Sequence, residues 1–195
     1  MSRIVLASAS PARIALLENA GLDFTARAAK IDERAIEAGL AGHPPAEIAM
    51  ALAEAKALDV AKSEPDALTI GGDQVLALGA TRFHKPADKA AAKAQILALS
   101  GRTHELISAL AVARGGAILW RHSDRALMTM RALSPEAVDA YLDRAGTAAL
   151  SSVGAYQLEG PGIQLFEAIE GDYFTILGLP LLPLLHFLRS EGAIP

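Results

Sequence analysis

The chain has 195 residues, of which 52% are apolar, enough for a substantial core in one domain or in two closely packed lobes. Its net charge of −4 argues against a general surface for nucleic acid or anionic membrane, although a local basic pocket is compatible. No cysteine is present, which excludes disulfides, thiol nucleophiles and cysteine-ligated zinc. Neither the N-terminus nor the interrupted apolar run at 176–188 is long enough for a signal-peptide core or a membrane span, and we expect a cytoplasmic protein.

The first residues of the chain bring several anion-binding groups into one short stretch. An apolar strand over 4–7 leads through Ser8 into a predicted helix over 11–19, with Ser10 as its N-cap. Hydroxyls, helix N-terminal N–H groups and the Arg13 guanidinium would then lie together, which favours an oxyanion ligand. On this segment alone, the alternative is a capped surface helix with a solvated arginine.

The rest of the chain alternates strands and helices. Apolar runs, capping residues and glycine or proline breaks predict, in the first half, strand 24–28, a polar loop from 31, helix 46–61, strands 68–71 and 75–78, and helix 88–99. In the second half they predict strands 105–113 and 117–122, which form a hairpin with its turn at Gly115-Gly116, then strand 124–132 and helix 135–144 with Ser134 as its N-cap. A glycine-rich loop 154–162, strand 163–169 and helix 179–189 complete the series. Hairpins together with β–α units predict a mixed α/β sheet with parallel and antiparallel pairs. Because no repeat or clear linker is present, we expect a single domain over 1–195.

Asp73 is the first candidate for chemistry. It follows the predicted strand 68–71 and Gly72, so it would project from the carboxyl end of a buried strand, where α/β proteins tend to bind ligands. The adjacent glycines would let a backbone or a ligand approach closely. The alternative is an aspartate that merely caps a turn.

Other charged residues are weak signals individually. Lys56 lies among apolar residues of a predicted helix, so its charge would emerge from a packed face, and Lys85 precedes a proline. Asp32 and Glu33 could share a divalent cation with Asp73, because Mg²⁺ and Mn²⁺ prefer oxygen ligands. Taken alone, the lysines are typical of a solvated surface, and the two acids of a solvated loop.

Several common catalytic patterns are missing from the sequence. The five histidines lack the i, i+4 spacing of a zinc helix, and no G-x-S-x-G or G-x-x-x-x-G-K-[ST] motif occurs. Zinc-helix, serine-hydrolase and ordinary P-loop chemistry are therefore disfavoured.

A series of short motifs does occur in a defined order along nearly the whole chain. They are Leu6-Ala-Ser-Ala-Ser-Pro-Ala-Arg13, Ile31-Asp-Glu33, Ala53-Glu-Ala-Lys-Ala57, Gly72-Asp-Gln-Val75, Lys85-Pro86, Leu99-Ser-Gly-Arg-Thr-His104, Gly154-Ala-Tyr156, and Ile169-Glu-Gly-Asp-Tyr-Phe174 before Gly178-Leu-Pro180. Together they resemble the Maf family of nucleoside triphosphate pyrophosphatases.

The resemblance implies a mixed central sheet flanked by helices, with two lobes around a cleft, as in Maf and ITPase-like proteins. It also implies that the protein is a homodimer and that its substrate is a nucleoside triphosphate. No nucleic acid polymer and no membrane is implied as a partner. The implied reaction is hydrolysis of a nucleotide between its α- and β-phosphates with a divalent cation, Mg²⁺ or Mn²⁺. Such a house-cleaning enzyme would release a nucleoside monophosphate and pyrophosphate.

The resemblance also assigns roles residue by residue. Asp73 corresponds to the general base that activates water, and Glu33 together with Asp73 to the metal ligands. The phosphate-binding set would be Ser8, Arg13, Lys56 and Lys85. Positioned cations suit phosphoryl transfer, which needs charge stabilisation and little covalent work by the protein.

Three further positions separate the subgroups of this family. They are Ala12, Gln74 and Glu159 here, and the pair Asp73-Gln74 with Glu159 is more similar to the 7-methyl-GTP branch than to the dTTP/UTP branch. A carboxylate can accept hydrogen bonds from the N1–H and the exocyclic amine of guanine. Ala12 stands where the first motif of the family commonly has a second arginine. The replacement removes a cation or a bulky side chain that could influence which nucleotide is preferred.

A second class of function follows from the same resemblance, because the family has also been linked to arrest of septum formation. The chain could then be a nucleotide-binding regulator of cell division. A binding protein needs no base beside a metal, so the retained Asp73 favours the enzyme.

Overall fold

Helices and strands alternate along the chain in a computed structural model that describes residues 2–195. The helices are α1 (Pro11–Asn19), α2 (Glu33–Gly39), α3 (Pro45–Ala61), α4 (Lys89–Leu99), α5 (Pro135–Ala145), α6 (Tyr173–Ile176) and α7 (Leu181–Ser190). The strands are β1 (Ile4–Leu6), β2 (Thr25–Ala26), β3 (Leu68–Leu78), β4 (Thr81–Phe83), β5 (Thr103–Arg114), β6 (Ala117–Met130) and β7 (Phe166–Glu170). Short 3₁₀ turns occupy Gly146–Leu150, Val153–Ala155 and Pro161–Leu165.

In the described part of the chain the strands form one seven-stranded sheet. Its order is β2-β1-β3-β5-β6-β7, and β4 pairs with β3. Strand β1 runs parallel to β2 and β3, whereas β4 and β7 run antiparallel to their partners. The predicted mixed α/β sheet is therefore confirmed.

Two compact units make up the described part of the chain. The first contains residues 2–74, 107–124 and 172–195, and the second contains 75–106 and 125–171. Each unit is therefore built from segments that are distant in sequence. No helix among the described residues is long and apolar enough to cross a membrane.

The core of the first unit covers both faces of β1. Ile4 and Leu6 pack with Leu17 of α1 and with apolar residues of α7, whereas Val5 packs with Val60 of α3. Both faces of a parallel strand are buried in this way when helices cover them. Helices α1 and α7 thus share one face, and α3 covers the other.

The second unit contains a buried polar contact beside a loop. His104 Nε2 lies 2.7 Å from the Tyr156 hydroxyl, and both rings pack against Phe166. Burial lowers the pKa of His104 to about 4 and raises that of Tyr156. This contact therefore joins two neutral groups and anchors the loop that precedes Glu159.

Several of the predicted elements are confirmed. Helix α1 has the predicted bounds, and Ser134 caps α5 by accepting a hydrogen bond from the Ala137 N–H at 3.3 Å. Gly115 and Gly116, between β5 and β6, both have positive φ. Local turn and cap chemistry was sufficient to locate these features.

Other predictions were wrong. Strand β3 is continuous through 72–74, so Asp73 lies inside the strand and not at its end. Strand β6 is likewise one strand over the region predicted as two. The predicted polar loop contains α2, whose N-cap Asp32 accepts a hydrogen bond from the Ala35 N–H at 3.0 Å, and α6 was not predicted. The paired glycines and the short polar segments suggested breaks in regular secondary structure. Pairing between strands of the sheet keeps β3 and β6 continuous, and side-chain capping by Asp32 allows α2 to form.

Candidate active site

The centre of the site is the side chain of Lys56, which α3 directs toward β3. Its Nζ lies 2.7 Å from Asp73 Oδ1 and 3.0 Å from Glu33 Oε1. The Lys56 and Asp73 side chains are 12% and 11% exposed, whereas Glu33, in the first turn of α2, is 52% exposed. One ammonium group therefore connects a buried carboxylate to a more accessible one.

Gly71 allows α3 to approach β3 closely enough for this contact. A Cβ at Gly71 would lie 2.1 Å from the Ala53 carbonyl oxygen and 2.6 Å from the Ala57 backbone nitrogen. Side chains alternate across a strand, so Asp73 is on the same side of β3 as the position where that Cβ would be. The glycine is thus required for a close helix–strand approach that brings Lys56 to Asp73.

Asp73 has the electrostatic properties of a proton acceptor. Burial raises the pKa of its carboxyl, the nearby charges of Lys56 and Arg13 oppose that rise, and Glu33 adds to it. Lys56 occupies Oδ1, and Oδ2 has no hydrogen-bond donor among the residues that the structure describes. A carboxylate with a raised pKa and a free oxygen can accept a proton from water.

Arg13 lies in a backbone slot made by two glycines. Its Nε donates to the Gly178 carbonyl at 2.8 Å. A Cβ on Gly72 would come within 3.4 Å of Arg13 Nε, and a Cβ on Gly178 within 3.3 Å of Nη2. Burial lowers the pKa of Arg13, while Asp73 and Glu33 raise it. In residues 2–195 neither terminal nitrogen has a hydrogen-bond partner, so both can bind an anion in bidentate fashion.

Ser8 and the start of α1 lie next to each other in the chain and share a hydrogen bond. The buried Ser8 Oγ accepts from the Ser10 N–H at 3.1 Å, which leaves the Ser8 hydroxyl hydrogen for another acceptor. Ser10 occupies the predicted N-cap position, but its side chain makes no capping bond. The predicted N-cap position of Ser10 is therefore confirmed, although its hydroxyl does not cap the helix.

Gln74 is held by backbone groups and by a serine. Its Nε2 lies 3.2 Å from the Thr175 carbonyl oxygen, 2.9 Å from the Ile176 carbonyl oxygen and 3.0 Å from Ser108 Oγ. Ser108 in turn donates to the Thr175 carbonyl at 2.7 Å. The side chain therefore connects β3 to the end of α6.

Two carboxylates of the site fit a divalent cation that also has other ligands. Oxygens of Glu33 and Asp73 each lie within 3.0 Å of the same ammonium nitrogen, so they already converge on one positive charge. The described residues contain no group of three or more His, Cys, Asp or Glu that could hold a metal. The two carboxylates of Glu33 and Asp73 suit Mg²⁺, which typically takes one or two carboxylates together with water and substrate phosphates.

The remaining predicted site residues lie elsewhere in the chain. Ala12 is partly buried in α1. Lys85 and Glu159 belong to the second unit, and both are exposed. Their roles remain predictions, whereas Arg13, Glu33, Lys56 and Asp73 form one cluster within the first unit.

Sequence reasoning missed the part played by Gly178 and Ser108. Gly178 was noted only as part of a motif, and its carbonyl is the acceptor for Arg13. Its φ of +87° favours glycine, so the presence of glycine before Leu179-Pro180 was the available sequence signal. The partner itself is 165 positions away in the chain, beyond the reach of any local pattern.

Comparison with known proteins gives a consistent result. The family model described as Maf-like protein matches residues 3–191. A "7-methyl-GTP pyrophosphatase" of Brucella suis biovar 1 (strain 1330) is 58% identical over 194 residues, 98% of each chain. One of Rhizobium meliloti (strain 1021) is 58% identical over 193 residues, 98% of this chain and 97% of the relative. A "Nucleoside triphosphate pyrophosphatase" of Rhodopseudomonas palustris (strain BisB18) is 54% identical over 188 residues, 96% and 93% of the two chains.

The contact at Gly71 generates a direct prediction. Gly71→Ala places a methyl group against the Ala53 carbonyl, and we expect the free energy of unfolding to fall by about 3 kcal/mol. Gly39→Ala is the matched control, because nothing lies within 4 Å of its Cβ and alanine favours a helix, so stability should change by ~1 kcal/mol or less. Urea denaturation measures both. Equal stability of the two variants would contradict the close-approach account.

Proposed function

The chain belongs to the Maf family, and on that premise we propose that it is a nucleoside triphosphate pyrophosphatase. The resemblance that the sequence motifs predicted is thereby confirmed at the level of the family. The observation that carries the activity is Asp73, a buried carboxylate with a raised pKa and one free oxygen, close to the cations Lys56 and Arg13. These groups can activate water and bind phosphate.

The proposed reaction is attack of water on the α-phosphorus of a nucleoside triphosphate. Asp73 Oδ2 takes a proton from the water as the new P–O bond forms, and the bond from the α-phosphorus to the α–β bridging oxygen breaks. Pyrophosphate leaves, and the nucleoside monophosphate carries the oxygen of the water. Lys56, bonded to Oδ1 at 2.7 Å, fixes the orientation of the carboxylate and favours its ionised form.

Cationic and hydroxyl groups of the first unit would bind the triphosphate. The two terminal nitrogens of Arg13 can take two phosphate oxygens, while its Nε stays on the Gly178 carbonyl. Ser8 supplies a hydroxyl donor from the adjacent strand end. Lys85, exposed in the second unit, is proposed as a further phosphate ligand.

A divalent cation, Mg²⁺ or Mn²⁺, is part of the proposal, with Glu33 and Asp73 as its protein ligands. It would supply charge neutralisation at the phosphates. Glu33 can turn toward a ligand, because its side chain is 52% exposed and is not packed in the core. Lys56 would then remain bonded to Asp73.

For the substrate we propose 7-methyl-GTP or a similar modified purine nucleotide. Relatives named for that nucleotide are 58% identical to this chain, and a relative with the more general name is 54% identical. Glu159 is the proposed partner of the guanine edge, since a carboxylate accepts hydrogen bonds and also attracts a base that methylation has made cationic. We also propose that the protein is a homodimer in the cytoplasm, as the resemblance implies.

Replacement of the base tests the activity. Asp73→Asn keeps the shape of the side chain but removes the proton acceptor, so pyrophosphate release should fall by about 100-fold or more. The circular dichroism spectrum should be retained, because Glu33 still pairs with Lys56, and an α,β-methylene triphosphate should still bind through Arg13. The control is Asp66→Asn, at an exposed position of the same unit, which should keep wild-type turnover. Wild-type turnover in the Asp73 variant would refute the assignment.

A substrate panel tests the specificity. With Mg²⁺ or Mn²⁺ present, pyrophosphate release is measured from 7-methyl-GTP, GTP, dTTP and UTP. We expect the highest kcat/KM for 7-methyl-GTP and a loss of that preference in Glu159→Gln, because the carboxylate is replaced by a neutral amide. Equal rates on all four nucleotides, or a preference for dTTP and UTP, would contradict the proposed substrate.

A further inference from the structure

We propose that Tyr141 is a positioning residue for Glu159 and thereby helps to set which base the protein accepts. Tyr141 lies on α5 in the second unit, and Glu159 is an exposed residue of the glycine-rich loop 154–162 in the same unit. The inference rests on the proposed function, in which Glu159 contacts the guanine edge. The contacts that support it all lie within the second unit.

The loop begins with an unusual backbone conformation. Ala155 has a φ of +62°, and among residues 2–195 it is the one residue other than glycine with a positive φ. A left-handed conformation is unfavourable for a residue with a Cβ, so it persists only where surrounding contacts compensate for it. Gly154, at a φ of +77°, precedes it, and a Cβ there would lie 2.5 Å from Leu76 Cδ1. Two consecutive left-handed residues therefore lead the chain into Tyr156.

The hydroxyl of the buried Tyr141 contacts the backbone on both sides of Tyr156. It donates to the Ala155 carbonyl oxygen at 3.1 Å. Burial raises the pKa of Tyr141 to about 12, and a hydrogen bond from the Gln157 backbone opposes that rise. One hydroxyl on a helix is thus bonded to the carbonyl of the left-handed residue and to the backbone two residues later.

Two other contacts hold Tyr156 itself. Its carbonyl oxygen accepts from Ser152 Oγ at 2.6 Å, and its hydroxyl lies 2.7 Å from His104 Nε2. Both contacts act on the chain after the left-handed residue. The Tyr141 hydroxyl differs from them because it holds the carbonyl of Ala155, whose direction depends on the backbone conformation of that residue. It therefore connects the unusual conformation at the start of the loop to the backbone that continues toward Glu159.

The loop is compact, so a change at Gln157 reaches Glu159. The Gly160 N–H donates to the Gln157 carbonyl at 3.3 Å, and a Cβ on Gly162 would lie 2.4 Å from the same carbonyl oxygen. Glu159 lies inside this closed turn, two residues after Gln157. Its negative charge adds to the effect of burial on the pKa of Tyr141, so the carboxylate lies near the hydroxyl. Loss of the hydroxyl should therefore displace the carboxylate that the proposed function assigns to the base.

The test compares Tyr141→Phe, which removes only the hydroxyl, with matched variants. Tyr173→Phe makes the same chemical change at a residue of the first unit that is 47% exposed, and it is the control. Ala155→Gly is made alone and together with Tyr141→Phe, because glycine adopts a positive φ without the cost that the hydroxyl offsets. Two quantities are measured for each variant: steady-state kinetics on 7-methyl-GTP, GTP and UTP with Mg²⁺, and hydrogen exchange of the Gln157 amide by NMR.

We expect Tyr141→Phe to speed exchange of the Gln157 amide by about tenfold, because that N–H loses its partner. KM for 7-methyl-GTP should rise by about fivefold, the usual effect of one lost hydrogen bond, and the kcat/KM preference over UTP should fall by the same factor. Because Asp73 and Lys56 belong to the first unit, kcat should change by less than about twofold. In the Ala155→Gly background, Tyr141→Phe should lower the preference by less than about twofold.

Unchanged exchange at Gln157 in Tyr141→Phe would overturn the inference. Faster exchange with an unchanged preference among the nucleotides would also overturn it, because the hydroxyl would then be purely structural. So would an equal loss of kcat for all three nucleotides, or an equal effect of Tyr141→Phe with alanine and with glycine at position 155. If the wild type shows no turnover or no preference for 7-methyl-GTP, the proposed function fails, and exchange at Gln157 then decides separately whether Tyr141 holds the loop.

Discussion

The structure depends most on the burial of one ammonium group. Lys56 is only 12% exposed, and a buried charge is stable only when opposite charges and hydrogen bonds compensate it. Asp73 of β3 and Glu33 of α2 supply that compensation, so three elements are tied to one nitrogen. The same contact acts on Asp73, since it lowers a carboxyl pKa that burial raises. A structural requirement and a catalytic one are therefore met by the same ion pair.

Residues of strand β3 give room to the neighbours that form the proposed site. On the α3 side, Gly71 gives the helix room and Asp73 meets Lys56, which prepares a proton acceptor. On the other side, Gly72 gives the Arg13 guanidinium room, and Gln74 Nε2 donates to the carbonyls of Thr175 and Ile176. Alternation of side chains along a strand thus lets neighbouring residues of β3 admit α3 on one side and the Arg13 side chain on the other.

The sequence was informative where local chemistry decides structure, and uninformative where distant contacts do. Helix α1 and the Ser134 cap follow from residues within one turn, and both were predicted. The run 71–74 was predicted as a break because paired glycines usually indicate one, yet here they admit neighbours on opposite faces of an unbroken strand. The charged members of the cluster were found through motifs. The Gln74 contacts at residues 175 and 176 lie about a hundred positions away, and no local pattern reveals them.

The most direct measurement is a crystal structure of the protein with an α,β-methylene nucleoside triphosphate and Mg²⁺. We expect phosphate oxygens on the two terminal nitrogens of Arg13 and the α-phosphorus one water molecule away from Asp73 Oδ2. Lys56 should remain bonded to Asp73, and Arg13 Nε to the Gly178 carbonyl. A triphosphate bound without contact to Arg13, or with its α-phosphorus beyond the reach of Asp73 through a water, would contradict the central claim.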